Sequence, residues 1–451
     1  MHSSRTQIAE SLHTASRLAV VLLGFSIAVS TSLASALAVV IAFLWLVGGD
    51  LPVKLRRIAA NPAAWLPLAL FVWLIIGAIY TSIDPIESLR GASKYRELLY
   101  IPILLTLVPG PNARLGRIAD VVDALRRRQW NAVDHRTWSV AGFVAGALCE
   151  LAASYGEWLF GVDWGFPSTT DHVVFKDRII HNFLLAYVLF VLAHDAHGNT
   201  RRRWRIGAAI LGAATVVNML ALVHGRTGYL AVVVLTATFM FQRFGGRGVV
   251  YAAASLAVLA CIAYAGSATF RFRVQETLLQ VQTSLGRDVQ PADDRMTAEE
   301  PRLRFYGQAL ELVRRRPIAG GGAGSFGYEL RRLVDDPTVN TTDDPHNEFL
   351  AIAAQSGLVG LALWLAILVI QWKKFQGLEL PDRHLAHGLL VLMISGCLVN
   401  SLLLGFTGGL FWAYFSALLA PLPLSEERSA KTDVVSTVTR GCSSHQGRIA
   451  A

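Results

Sequence analysis

Asp343-Asp344-Pro345-His346-Asn347-Glu348-Phe349-Leu350 closes the one long polar insertion, Phe270 to Gly357, in a chain that is otherwise apolar helix after apolar helix. The octet leads straight into another apolar segment, so it marks a place where polar groups meet the edge of a hydrophobic slab. Asp344 followed by Pro345 reads as an N-cap with proline at the first helical position, which puts His346 in the first turn of the next helix. The positive end of the helix dipole disfavours imidazolium there, leaving the histidine neutral and able to accept a proton. A histidine that only caps or packs a helix end fits the same pattern.

Working outward, 53% hydrophobic and 16% charged residues over 451 positions, with a mean hydropathy of +0.44, exclude an ordinary soluble protein. A polytopic, all-α membrane protein is expected. The net charge of +9 does not point to nucleic acid, because the basic residues sit in short clusters between apolar runs, as orientation signals do. Cys149, Cys261 and Cys397 lie inside apolar segments and Cys442 in the polar tail, which is packing usage rather than a disulfide framework. Leu18 to Ser30 imitates a signal peptide, but another apolar run follows at once and an uncleaved span is expected.

Runs of suitable length predict about twelve spans, near 17–31, 33–48, 62–81, 95–109, 138–160, 179–197, 206–223, 227–242, 248–268, 347–371, 385–404 and 408–424. This divides the chain into membrane helices over 1–268, a helical insertion over 269–346, further membrane helices over 347–424 and a disordered tail over 425–451. Lys54, Arg56, Arg57, Arg126-Arg127-Arg128, Arg201-Arg202-Arg203 and Lys373-Lys374 fall on one side. Only Arg90, Lys94, Arg96, Lys176, Arg178 and Arg226 occupy the short loops of the other. The asymmetry predicts both termini in the cytoplasm and the insertion outside it. Ile118 to Arg128 reads as an amphipathic helix meeting anionic lipid, or equally as a solvated basic loop.

Within the insertion, Phe270 to Leu285 extends the ninth span and Asp288 to Glu300 is a polar linker. Arg302 to Arg316 has helical spacing, with Leu303, Tyr306, Leu310 and Val313 on one face and Pro317 as its stop. The run Gly320-Gly321-Gly322-Ala323-Gly324 permits close backbone approach before a short helix from Ser325 to Val334. Such a turn either cradles phosphate or serves as a plain hinge.

The outward arginines are informative because membrane orientation does not explain them. Arg226 stands in the tight turn His224-Gly225-Arg226-Thr227-Gly228, Arg178 opens the sixth span, and Arg302 and Arg304 open the amphipathic helix of the insertion. Snorkelling accounts for each singly, whereas together they suit one anionic pocket. Guanidinium forks match phosphate oxygens, and a sugar leaving from diphosphate needs its growing charge stabilised while the attacking hydroxyl needs a base. Asp293-Asp294, Asp335-Asp336 and Asp343-Asp344 are candidate metal ligands, but they lie among turn formers and no metal site is assigned.

These residues resemble the O-antigen ligase and polymerase superfamily. The likeness rests on Gly225-Arg226-Thr227-Gly228, on Arg302-Leu303-Arg304-Phe305-Tyr306 leading to Pro317 and the glycine run, and on Pro345-His346-Asn347-Glu348-Phe349-Leu350 leading to Gly357-Leu358-Val359-Gly360. It spans about residues 170 to 410, and Tyr306 stands where the family often has tryptophan. Among its members the chain looks most like the lipopolysaccharide O-antigen ligases. The resemblance implies the membrane glycosyltransferase C architecture and residence in a bacterial inner membrane with the site facing the periplasm. It implies transfer of O-antigen from undecaprenyl diphosphate to the lipid A core, without metal, nucleotide or other cofactor. Carried over, Arg226 and Arg302 bind diphosphate and His346 is the base. Arg304 and Arg178 are added from charge placement alone. The expected partners are that donor, that acceptor and membrane lipid, with the protein a monomer. An O-antigen polymerase or a protein O-glycosyltransferase shares this chemistry, and a transporter is the rival of another class.

Overall fold

The computed structural model describes residues 2–107, 115–164, 172–284, 302–334 and 342–419. The regular elements among them are helices. The first part of the chain gives α1 (His2–Val29), α2 (Thr31–Val47), α3 (Leu51–Ala60), α4 (Pro62–Tyr80), α5 (Pro85–Ser93), α6 (Tyr100–Leu107) and α7 (Ile118–Arg127). The middle gives α8 (His135–Phe160), α9 (Arg178–Gly198), α10 (Arg202–Val217), α11 (Arg226–Phe244), α12 (Arg247–Gly266) and α13 (Ala268–Ser284). The remainder gives α14 (Arg302–Arg315), α15 (Phe326–Val334), α16 (Glu348–Gln376), α17 (Asp382–Val399) and α18 (Phe406–Leu419).

The fold is that of a polytopic membrane protein. Nine helices among the described residues are long and apolar enough to cross a bilayer. They include α4, α8, α9, α11, α12, α16 and α17, all foreseen from their hydrophobic runs. Outward apolar side chains such as Val249, Val250, Val258 and Ile262 on α12 remain exposed, as a lipid-facing helix requires.

The remaining expected spans take other forms. α2 and α3 meet at a bend of 111°. Lys54 staples that bend by donating to Trp45 O at 2.6 Å. Residues 95–109 do not form one span: a 3₁₀ turn, Arg96–Leu99, precedes the short α6. Buried Glu97 lies in that turn, so a run that is apolar on average is broken by a charged residue drawn inward. α18 is only 14 residues long and almost wholly buried. Its Phe411 and Phe415 meet Phe143 of α8 and Tyr187 of α9 edge to face or tilted, with ring centres 4.9–5.5 Å apart. α18 packs inside the bundle, and the Tyr414 hydroxyl reaches Ser139 O on α8 at 2.9 Å and Val20 O on α1 at 3.1 Å.

Within the insertion, α14 and α15 match the expected helices closely. The buried face of α14 is set by Phe305, Ala309 and Leu312, of which Ala309 and Leu312 pack with Phe326, Leu330 and Ala354. Leu310, expected on that face, is exposed, because α15 and α16 cover the neighbouring stripe instead. α13 is separate from α12, with a break at Ser267. Asp288 to Glu300, Asp293-Asp294, Asp335-Asp336 and the tail 425–451 lie outside the described residues.

The glycine run fastens the insertion to the bundle. Gly321 N donates to Ala354 O and Gly322 N to Gln355 O, at 3.0 and 2.8 Å, while Gly324 N donates to Gln355 Oε1 at 2.6 Å. These amides are spent inside the protein, which removes the phosphate-cradle reading of this turn. α16 itself breaks at Gly357, whose φ of 67° and ψ of −170° are not helical. Past the break, Leu358 N donates to Pro317 O at 2.7 Å and Val359 N to Ile318 O at 3.3 Å, so the strand of chain leaving α14 is stitched into the gap. A β-carbon at Gly357 would stand 2.1 Å from Ile318 O, which explains why only glycine fits.

Candidate active site

His346 does not lie in the first turn of α16. The helix begins at Glu348, and Asn347 is its N-cap, its side chain accepting from Leu350 N at 3.1 Å. Two residues of good capping chemistry stand three apart here, and the nearer one wins because Asp344 is committed elsewhere. Asp344 Oδ1 accepts the His346 amide at 2.8 Å and the Ser401 hydroxyl at 2.5 Å. Held in this way, His346 adopts a left-handed φ of 53°, a conformation that costs non-glycine residues about 1–3 kcal/mol and is met most often at functional sites.

The ring is oriented as well as the backbone. His346 Nδ1 stands 3.5 Å from Asp344 Oδ2, and the Phe305 ring centre lies 6.4 Å from that of the imidazole. With 39% of its side chain accessible, the imidazole is open to solvent on part of its surface. A carboxylate on Nδ1 favours the tautomer in which Nε2 is the proton acceptor.

A single turn, residues 398–401, draws the other elements to this corner. Tyr306 on α14 reaches Leu398 O at 3.1 Å and His346 O at 3.3 Å, and Asn347 Nδ2 donates to the same Leu398 O at 3.0 Å. Asn400 Nδ2 donates to Thr227 Oγ1 at 2.6 Å, tying in the start of α11 next to Arg226. Asn182 Nδ2 of α9 donates to Val223 O at 3.0 Å, which brings in the start of α9. Gly228 is required here, since a β-carbon on it would meet Asn182 Cβ at 2.6 Å.

The N-termini of α9, α11 and α16 thus converge on one corner. Three positive dipole ends meet there with one negative end, the close of α17 at Val399. Arg178 and Arg226 are the first residues of α9 and α11, the end where a cation opposes the dipole and an anion is favoured. Arg226 is half-buried, while Arg178 and Arg304 are exposed. Arg304 lies two residues before Tyr306 on α14, and Arg302 opens that helix. Asp343, weighed as a metal ligand, bonds Arg331 Nη1 at 2.9 Å.

Sequence reasoning missed the supporting residues. Glu348 is fully buried and accepts from Leu403 N at 2.7 Å and from the Tyr95 hydroxyl at 3.3 Å, fixing the end of the 398–405 turn against α16. Behind Arg226, His181 bridges Glu150 Oε1 at 3.1 Å and Asn218 Oδ1 at 2.8 Å, and Asn218 Nδ2 donates to Ser154 Oγ at 2.8 Å. That chain holds the π-helical turn Asn218–Leu222 from which the Arg226 loop departs. A histidine, a glutamate and an asparagine inside apolar runs were the available signal.

Residues 208–365 match the model of the O-antigen ligase family. The resemblance read from the motifs is borne out by that match, which runs from α10 to the middle of α16. The matched segment contains Arg226, Arg302, Arg304 and His346, and leaves Arg178 outside. No curated protein matches the chain.

Proposed function

We propose that this protein is an O-antigen ligase that transfers a glycan from undecaprenyl diphosphate to the lipid A core oligosaccharide at the periplasmic face of the inner membrane. The observation that supports the reading is that one turn, residues 398–401, joins His346 with its neighbouring Asp344 carboxylate to the start of α11 at Arg226, both within the span matched by the O-antigen ligase family model. His346 Nε2 takes the proton of an acceptor hydroxyl as its oxygen attacks the anomeric carbon of the donor sugar. The bond from that carbon to the diphosphate oxygen breaks, and the diphosphate leaves with the electron pair. Arg226 and Arg302, aided by Arg304, Arg178 and the helix N-termini, stabilise the charge that develops. No metal or nucleotide takes part.

Deletion of the gene tests the reading. A ligase defect leaves full-length O-antigen on its lipid carrier and lipopolysaccharide without it. If lipopolysaccharide instead carries single repeats, the protein is the polymerase of the same superfamily. Normal lipopolysaccharide would remove both.

A further inference from the structure

The end of the bundle opposite His346 holds a second site of different character. A groove of about 1070 Å³ runs along α9 and α10, lined by Leu189, Leu192, Ala209, Gly212, Ala213 and Val216, with Arg202 and Arg205 at its end. Beside it, sharing His197, opens a more polar cavity of about 460 Å³ bounded by Arg117, His194, Arg243 and His384. These residues close α9, begin α10 and α17 and end α11, the reverse of the ends that meet at Arg226.

Charge in this pair of cavities is one-sided. The carboxylate of Asp195 is taken up by Ile118 N at 2.8 Å and by Trp204 Nε1, and Asp120 accepts from Arg117 N at 3.2 Å. Among the described residues no carboxylate pairs with Arg202, Arg205 or Arg243. His194 is 9% exposed, sits between the rings of Phe190 and Phe239, and has Gln242 and His384 as its polar neighbours.

We propose that these joined cavities bind an anionic glycerophospholipid of the leaflet opposite the active site. Its phosphate sits among Arg202, Arg205 and Arg243, its polar headgroup enters the cavity toward His194, and an acyl chain lies along the α9–α10 groove. Continuity of the polar cavity with an apolar groove selects a lipid over a free anion, since a soluble phosphate has no use for the groove. Basic pockets between membrane helices are suited to such headgroups, the guanidinium attracting the phosphate while its stem lies on apolar surface. Leu115 to Ile118 and Asp120, where the amphipathic α7 begins, line one wall of this site, and Arg126 to Arg128 at the far end of that helix do not.

The test uses the full chain purified in a neutral detergent, with phosphatidylglycerol, phosphatidylcholine of the same acyl chains, or inorganic phosphate added. Phosphatidylglycerol should raise the thermal unfolding midpoint, and the other two should not. The triple variant Arg202→Ala, Arg205→Ala, Arg243→Ala should lose that increment, while Arg126→Ala, Arg127→Ala, Arg128→Ala, which removes equal charge from exposed α7, should keep it. Equal response to phosphatidylcholine, or retention of the increment by the first triple variant, overturns the proposal. An equal response to inorganic phosphate replaces the lipid by a soluble anion and overturns it too. Should the first variant fail to fold, a photoactivatable phosphatidylglycerol on wild-type protein decides: labelling concentrated on α10 and the end of α11 supports the site, and labelling spread over all helices contradicts it.

Discussion

His346 Nδ1 stands 3.5 Å from Asp344 Oδ2, while the other oxygen of the same carboxylate accepts the His346 amide. One side chain therefore fixes both the left-handed backbone and the ring. Asp344→Asn should lower kcat with little change in KM, by less than the about 100-fold to 10,000-fold expected for loss of a general base itself. Steady-state kinetics at several donor concentrations measure this. A rise in KM alone would make Asp344 a donor-binding residue, and unchanged kinetics would make it a loop fastener.

Arg226 and Arg302 should not tolerate lysine. If each engages diphosphate through paired hydrogen bonds, Arg226→Lys and Arg302→Lys keep charge yet lose the planar fork, and both should transfer at least about tenfold more slowly. Wild-type rates in both variants would reduce them to surface cations.

Gly357→Ala should destabilise the protein. The new methyl group meets Ile318 O in a backbone conformation that alanine adopts at a cost of about 1–3 kcal/mol, so the seam between α16 and the insertion loosens. A lower melting temperature in detergent is expected, with near-normal insertion. Gly207→Ala on α10, where nothing stands within 4 Å of the added carbon, is the control and should not lower it.

Lys176 gives stability a pH dependence. Burial pulls its ammonium from the ordinary 10.5 down to about 8, although it donates to Thr31 Oγ1 at 2.8 Å. Between those pH values the unfolded chain holds a proton that the folded chain has released, so stability rises as pH increases from about 8 toward 10.5. Lys176→Met should flatten that rise in thermal unfolding measured across the window. An equally steep rise in the variant would assign the effect to other groups.

Long apolar runs revealed most of the architecture, because a segment such as Pro62–Tyr80 or Arg247–Gly266 has few stable states other than a membrane helix. What hydropathy could not reveal was set by tertiary contacts. The α2–α3 bend depends on Lys54 reaching back to Trp45, and the break in α16 depends on chain arriving from Pro317 and Ile318. At the candidate site, Arg226 and His346 were proposed from their motifs, and the structure ties the loops that carry them to one turn. The shift of the helix start from Pro345 to Glu348 was not, since it follows from Ser401 and the His346 amide claiming Asp344. The buried Glu150–His181–Asn218 chain was visible only as polar letters in apolar runs, without any sign of which would meet.

The most direct test is transfer by purified protein in EDTA, with lipid-linked O-antigen as donor and lipid A core as acceptor. The wild-type protein should form product in chelator without added nucleotide, and His346→Ala, folded and inserted, should lose about 100-fold to 10,000-fold in rate. Near-normal turnover by His346→Ala, or wild-type activity that vanishes in EDTA and returns with magnesium, would contradict a histidine base acting beside arginine-held diphosphate.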